Sequence, residues 1–131
     1  RSYGSMTYAG LLSFIYAKAD KSDPRVQSAF DWVAKHWILD ENPGMGAQGF
    51  FYFLNVLTKG LAAYGQDVIT LPDGRKVNWR EELIKKLIGL QKIDPGSGAG
   101  FWVNEEGRWM ENDPVLVTSY SLLALQIALG R

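Results

Sequence analysis

The sequence predicts an all-α fold, a partial α/α toroid of alternating inner and outer helices with one short β-hairpin insertion. Three observations predict it. Three segments are apolar on almost every face, as buried helices are, and they alternate with two segments that are apolar along one stripe only, as surface helices are. Such alternation is typical of two concentric helical layers. Glycine-rich loops separate the segments, and strand character is otherwise low.

The segments that are apolar all round are residues 6–17, 50–64 and 117–129. The two amphipathic segments are residues 24–37 and 79–92. Each amphipathic segment has one apolar stripe at helical spacing, formed by Val26, Phe30, Val33 and Trp37 in the first and by Trp79, Leu83, Leu87 and Leu90 in the second.

Local signals mark where helices begin. Asp23 before Pro24 is a predicted N-cap, and Asn78 is another, with Glu81 three residues further on. Residues 68–77 read as a hairpin because Asp73-Gly74 accepts the positive φ angles of a tight turn.

Composition excludes several classes of protein. The 131 residues fit a single domain, residues 1–131, with 47% hydrophobic residues and enough chain to bury a core. Fourteen basic and fourteen acidic side chains give zero net charge, so no nucleic-acid partner is expected. The chain has no cysteine, which excludes disulfides and thiolate chemistry, and no segment long and apolar enough to span a membrane. No cofactor and no metal are predicted, and no compartment is indicated.

The order of the segments predicts an incomplete structure. A weak internal repeat relates residues 7–12 to residues 118–123, and five helices would make about half of a closed ring. The chain also begins with Arg1 and is therefore expected to be a piece of a longer one. The inner helices would keep an uncovered apolar face, so either a homodimer or packing against the rest of a longer chain is expected.

Several motifs carry a resemblance to a family. Leu87, Gln91, Gly100 and Trp102 are similar to the end of a repeat motif, residues 3–9 and 113–120 look like entries to inner helices, and residues 40–44 with 48–52 look like a joint between repeats. On these residues the chain resembles the terpenoid-cyclase and protein-prenyltransferase superfamily, in particular bacterial squalene-hopene-cyclase-like proteins with the prenyltransferase/squalene oxidase repeat. The resemblance implies an α/α toroid and an apolar cavity for an isoprenoid or a similar lipid.

The chain departs from that family where the chemistry is carried. Glu82, Leu83 and Lys86 stand where the repeat motif usually has a basic residue, a glycine and an aromatic residue. The cyclases protonate their substrate from an Asp-x-Asp-Asp run, which this sequence lacks, and the prenyltransferases hold zinc with Asp, Cys and His, whereas this chain has no Cys and one His. No catalytic residue is therefore predicted, and any cyclase-like activity would need an acid from elsewhere in a longer parent.

Aromatic residues, 13% of the chain, are the candidate site residues. Their faces attract cations and their surface suits an apolar ligand, although packing between helices is the simpler interpretation of any single one of them. The predicted cavity-lining set is Tyr8, Tyr52, Phe53, Trp102, Trp109 and Tyr120. Tyr16 lies beside the same helices and is a weaker candidate.

Other candidates favour structural roles. His36 with Asp40 could hold a metal or act as a base, but a helix C-terminus also favours an imidazole. The glycines of residues 96–100 follow a helix and do not precede one, so they predict a connector and not a phosphate loop. The carboxylates predicted to lie on loops are Asp40, Glu41, Glu105, Glu106, Glu111 and Asp113. They could act as acid and base in a carbohydrate-active enzyme. The simpler interpretation is that the adjacent pairs are solvated and that Asp113 is an N-cap.

The sequence thus leaves two main hypotheses. The first is a terpenoid-cyclase-like repeat domain that contributes an aromatic, apolar cavity and lacks its own catalytic acid. The alternative is a non-catalytic interaction scaffold built on the same repeat.

Overall fold

Five α-helices and two short antiparallel hairpins make up residues 3–130, the part of the chain that this computed structural model describes. Arg1, Ser2 and Arg131 of the predicted domain lie outside the described residues. The elements in chain order are α1 (Gly4–Tyr16), α2 (Pro24–Lys35), α3 (Phe50–Tyr64), β1 (Val68–Thr70), β2 (Lys76–Asn78), α4 (Trp79–Leu90), β3 (Lys92–Ile93), β4 (Gly100–Phe101), a short 3-10 helix (Arg108–Met110) and α5 (Pro114–Ala128).

The mainly helical class is confirmed, and so is the position of every predicted helix. The third helix has the predicted bounds, while α5 begins three residues earlier than predicted because Asp113 caps it and Pro114 takes its first position. Asp23 and Asn78 are also confirmed as N-caps, since their side chains accept backbone N–H groups of α2 and α4 respectively.

Helix α3 forms the centre of the structure. It packs against α1 on one side and α5 on another, while α2 packs against α1 and α4 against α5. Ten of its fifteen residues are buried, and Phe53, Leu57 and Leu61 are fully enclosed. Gly60 lets α1 approach, because a Cβ there would lie 3.2 Å from the carbonyl oxygen of Tyr8.

Helices α1 and α5 keep the uncovered apolar face that the sequence predicts for inner helices, whereas α3 is covered on most sides. Four residues of α1 and four of α5 are buried, and the remaining faces reach solvent. Met6, Tyr16, Leu122 and Leu123 are between 45% and 72% exposed. Their apolar side chains are exposed because these two helices flank α3 and have fewer packing neighbours among the described residues.

The hairpin predicted for residues 68–77 is confirmed, with Ile69 opposite Val77 and the turn at Asp73-Gly74. A second hairpin, β3 with β4, was not predicted, and the predicted connector at residues 96–100 forms most of its loop. Its two-residue strands are too short to leave a periodic pattern in the sequence. Within residues 3–130, no helix has the length and apolar character needed to cross a membrane, in agreement with the sequence.

Candidate functional site: an aromatic cavity closed by a buried carboxylate

A cavity of about 360 Å³ lies where the N-terminal halves of α1, α3 and α5 meet. This volume lies within the usual range for small-molecule sites. The residues that line the cavity are Tyr3, Ser5, Met6, Tyr52, Trp109, Glu111 and Tyr120. Four of the seven are aromatic and one is charged.

The first turn of α1 is positioned by a residue far along the chain. Tyr3, at the N-cap, provides no side-chain hydrogen bond to the helix. Instead the fully buried Asn42 accepts the backbone N–H of Ser5 at 3.0 Å, and its amide nitrogen donates to Ser5 Oγ and to the carbonyl of Gln48. Asn42 therefore satisfies a helix end that the local sequence leaves open.

The first turn of α3 is positioned in the same way by Glu111. Gly49 precedes this helix and has no side chain to cap it. The carboxylate of Glu111, only 1% exposed, accepts the backbone N–H of Tyr52 at 2.7 Å and that of Phe51 at 3.1 Å. The side chain of Asn104 donates to the same carboxylate at 2.8 Å. All three partners donate, so the carboxylate acts as an acceptor at the positive end of α3.

Asn42 and Glu111 occupy corresponding places in the loops before two apolar helices, α3 and α5. Asn42 lies in the loop before α3 and caps α1, while Glu111 lies in the loop before α5 and caps α3. Each loop therefore fixes the start of the preceding apolar helix. The two caps place the first turns of α1 and α3 beside one cavity.

The backbone is strained at Trp109 and Met110, immediately before Glu111. Trp109 and Met110 both have left-handed backbone conformations, with φ angles of 56° and 64°. Such angles cost about 1–2 kcal/mol for each residue other than glycine. The segment is held by hydrogen bonds at both ends, since Asn104 donates through its side chain to the carbonyl of Ala47 at 2.7 Å and its backbone N–H donates to the carbonyl of Glu111.

This conformation presents the ring of Trp109 at the cavity wall. Trp109 is 51% exposed, and its ring packs over Gly49, where a Cβ would lie only 2.9 Å from the ring. The guanidinium of Arg108 lies 4.2 Å from the centre of the same ring and also donates to the side chain of Gln48. A cation therefore already rests on this tryptophan.

Tyr52 and Tyr120 form a pair of rings that also line the cavity. Their centres are 6.1 Å apart and their planes meet at 61°, an edge-to-face arrangement. Partial burial raises the pKa of Tyr120, and the negative charge of Glu111 and the neighbouring Tyr52 raise it further. The negative charge of Glu111 thus acts on the Tyr120 side chain at the cavity.

The structure divides the predicted cavity-lining set in two. Tyr52, Trp109 and Tyr120 come together on this cavity. Tyr8, Phe53 and Trp102 are at most 2% exposed and belong to the core, where the rings of Tyr8 and Phe53 meet edge to face and the indole N–H of Trp102 donates to the carbonyl of Leu87. Tyr16, the weaker candidate, is exposed at the end of α1.

The remaining candidates have structural roles. His36 stacks on Trp32 at the end of α2, whereas Asp40 pairs with Lys86 at 2.6 Å. Within residues 3–130, no group of three or more His, Asp or Glu residues could hold a metal. Asp113 caps α5 through the backbone N–H of Val115, and the glycines of residues 96–100 connect β3 to β4.

Sequence reasoning missed Glu111, which it grouped with the solvated loop carboxylates. The interpretation of Glu111 as a solvated carboxylate is wrong, because Glu111 is buried against the start of α3. Local patterns could not indicate this contact, since the capped residues lie 59 to 60 positions away in the sequence. A signal was present, since a helix that begins after Gly49 without a capping side chain needs an acceptor from elsewhere. That signal does not identify the residue that provides the acceptor.

The cavity has the chemistry of a binding site. Its lining offers aromatic faces, one thioether, hydroxyl groups and one carboxylate, and none of its seven residues is His, Lys or Cys. The hydroxyl of Ser5 is already paired with Asn42. These groups can enclose an apolar body and attract positive charge, and they form no nucleophile–base pair.

Comparisons with protein-family models, with curated proteins and with solved structures give no match for this chain. The resemblance to terpenoid cyclases therefore depends on the sequence motifs alone.

Proposed function

We propose that this chain is a terpenoid-cyclase-like repeat domain and that its aromatic cavity binds an isoprenoid or a similar lipid. The observation that carries the proposal is the convergence of Tyr52, Trp109 and Tyr120 with Met6 on one cavity. Rings and a thioether provide the apolar, polarisable lining that such a ligand requires.

The arrangement of the helices supports the repeat. The three apolar helices contact one another in the order α1, α3, α5, and the two amphipathic helices pack on the outer members of this row. The corresponding caps from Asn42 and Glu111 also recur with the helices. In the proposed toroid, α1, α3 and α5 form part of the inner layer, and α2 and α4 form part of the outer layer.

The domain is proposed to bind and not to catalyse by itself. The sequence lacks an Asp-x-Asp-Asp run. The one carboxylate of the cavity accepts three hydrogen bonds, which is not how a proton donor is held. A cyclase reaction would therefore need an acid from another part of a longer protein.

Binding of farnesol, a neutral isoprenoid alcohol, tests the proposal by calorimetric titration. We expect Tyr120→Leu to weaken binding by about fivefold, because a ring contributes roughly 1 kcal/mol beyond an aliphatic side chain. The matched control is Tyr16→Leu, which removes an exposed ring from the end of α1. Equal effects of the two variants, or no binding by the unaltered chain, would contradict the proposal.

The scaffold alternative is favoured by a different observation, the exposed apolar face of α5. Val115, Leu122, Leu123 and Leu129 are between 45% and 74% exposed. Native mass spectrometry separates the alternatives, because a dimer that carries no lipid and that Leu122→Asp dissociates would favour the scaffold. A monomer that retains extra mass of lipid size would favour the binding domain.

A further inference from the structure

The charge on the lining of the aromatic cavity is negative. Glu111 is its one charged lining residue, and it is acidic. Within residues 3–130, Glu111 makes no ion pair, and the nearby guanidinium of Arg108 is directed to Gln48 and to the ring of Trp109. The positive end of α3 offsets about half of an elementary charge.

The carboxylate also has unused capacity as an acceptor. Its two oxygens offer about four lone-pair positions. Three N–H groups take three of them, two on Oε2 and one on Oε1. Among the described residues, one acceptor position on Oε1 therefore has no N–H donor.

The aromatic faces of the cavity favour the same sign of charge. The ring of Trp109 already holds the guanidinium of Arg108, so an aromatic face at this cavity attracts positive charge. Tyr52 and Tyr120 add two more rings close to Glu111. Rings placed around one position attract an alkylated ammonium group through their quadrupoles, and a carboxylate attracts it through its charge.

We infer that the cavity prefers a ligand with an organic cation, an alkylated ammonium group that lies between the rings of Tyr52, Trp109 and Tyr120 and faces Glu111. This inference rests on the proposed binding function and names the head group of the ligand. A neutral apolar chain can occupy the same cavity less tightly. An isoprenoid diphosphate is disfavoured, because its charge has the same sign as that of the carboxylate.

Choline and its neutral carbon analogue 3,3-dimethylbutan-1-ol test the inference, since they have nearly the same shape and differ in charge. We expect the unaltered chain to bind choline about tenfold more tightly, the increment that a partly desolvated cation over aromatic rings provides. In Glu111→Gln this preference should fall several-fold. Circular dichroism and thermal unfolding show whether that variant is folded.

Tyr120→Leu provides a second variant that leaves the cap of α3 intact. It keeps an apolar side chain and removes one ring, so the preference for choline should fall while the fold is retained. Tyr16→Leu should leave the preference unchanged. Farnesyl diphosphate should bind more weakly than farnesol.

The outcomes separate this inference from the proposed function. If farnesol binds and depends on Tyr120, but choline and its neutral analogue bind equally, the inference is wrong and the lipid-binding function stands. If choline binds with the expected preference and farnesol does not bind, the lipid-binding function is wrong and the cavity is a site for small cations. If tighter binding of the diphosphate is observed, the charge argument fails.

Discussion

Helices α3 and α5 have the same length and nearly the same apolar character, yet they are buried to different extents. Each has fifteen residues, of which ten are buried in α3 and four in α5. Helix α3 lies between α1 and α5, whereas one face of α5 has no neighbour among the described residues. Apolar composition therefore marks a helix that should be covered, and its place in the row of helices decides whether this chain covers it.

The largest expected difference between the two helices is in the cost of removing a leucine. Leu57 of α3 is fully buried and Leu122 of α5 is 53% exposed. We expect Leu57→Ala to lower the free energy of unfolding by about 2–5 kcal/mol, because it leaves a cavity in the core. Leu122→Ala should change it by less than about 0.5 kcal/mol. Chemical denaturation measures both.

Equal losses in the two leucine variants would break the comparison. They would mean that something covers α5 in solution. Repeating the measurement at several protein concentrations would then identify a second copy of the chain, since association makes the apparent stability depend on concentration.

The next difference is in how the two helices are capped. Glu111 reaches the start of α3 from 59 to 60 residues away and is buried, whereas Asp113 caps α5 locally and is partly exposed. Glu111→Ala should cost about 3 kcal/mol, because it leaves one buried and two partly buried N–H groups without this acceptor. Asp113→Ala should cost about 1 kcal/mol, as at an ordinary N-cap. Thermal unfolding of both variants checks the order, and a larger loss in Asp113→Ala would contradict it.

The smallest expected effect concerns Tyr8, which packs against Phe53 of α3. Burial raises the pKa of Tyr8 far above its ordinary value. Because the folded pKa lies above the unfolded one, this contribution to stability is complete below about pH 10 and is lost as the pH rises further. The loss reaches about 1.4 kcal/mol at pH 11, since the unfolded chain alone ionises there.

Tyr8→Phe should therefore unfold less readily than the unaltered chain as the pH rises from 9 to 11. Denaturant titrations across that range measure the difference. Tyr16→Phe is the control, because Tyr16 is 72% exposed. Parallel stability curves for the unaltered chain and Tyr8→Phe would show that the buried ring does not contribute to alkaline unfolding.

Local signals predicted much of the fold. The caps at Asp23, Asn78 and Asp113 and the turn at Asp73-Gly74 were all readable, because each involves residues within two or three positions of one another. The stripes of α2 and α4 were readable as well, since helical spacing alone places their apolar residues on one face.

The candidate site was less readable than the fold. An abundance of aromatic residues indicated that some would line a cavity, but composition could not separate Tyr52 and Tyr120, which line it, from Tyr8 and Phe53, which fill the core. Residues on one helix are assigned to a cavity or to the core by what lies opposite them. That information is held by other segments of the chain.

The sequence by itself thus determined the helices, their order, their local caps and the first hairpin, because those features depend on short-range hydrogen bonds and on periodicity. Only the tertiary structure decided that α3 is enclosed while α5 is open, and that Asn42 and Glu111 cap α1 and α3. The physical reason is that a helix by itself leaves its apolar surface exposed and its first N–H groups without acceptors. Other segments of the chain must cover that surface and accept those N–H groups. The partner that satisfies them is chosen by the packing of the whole chain.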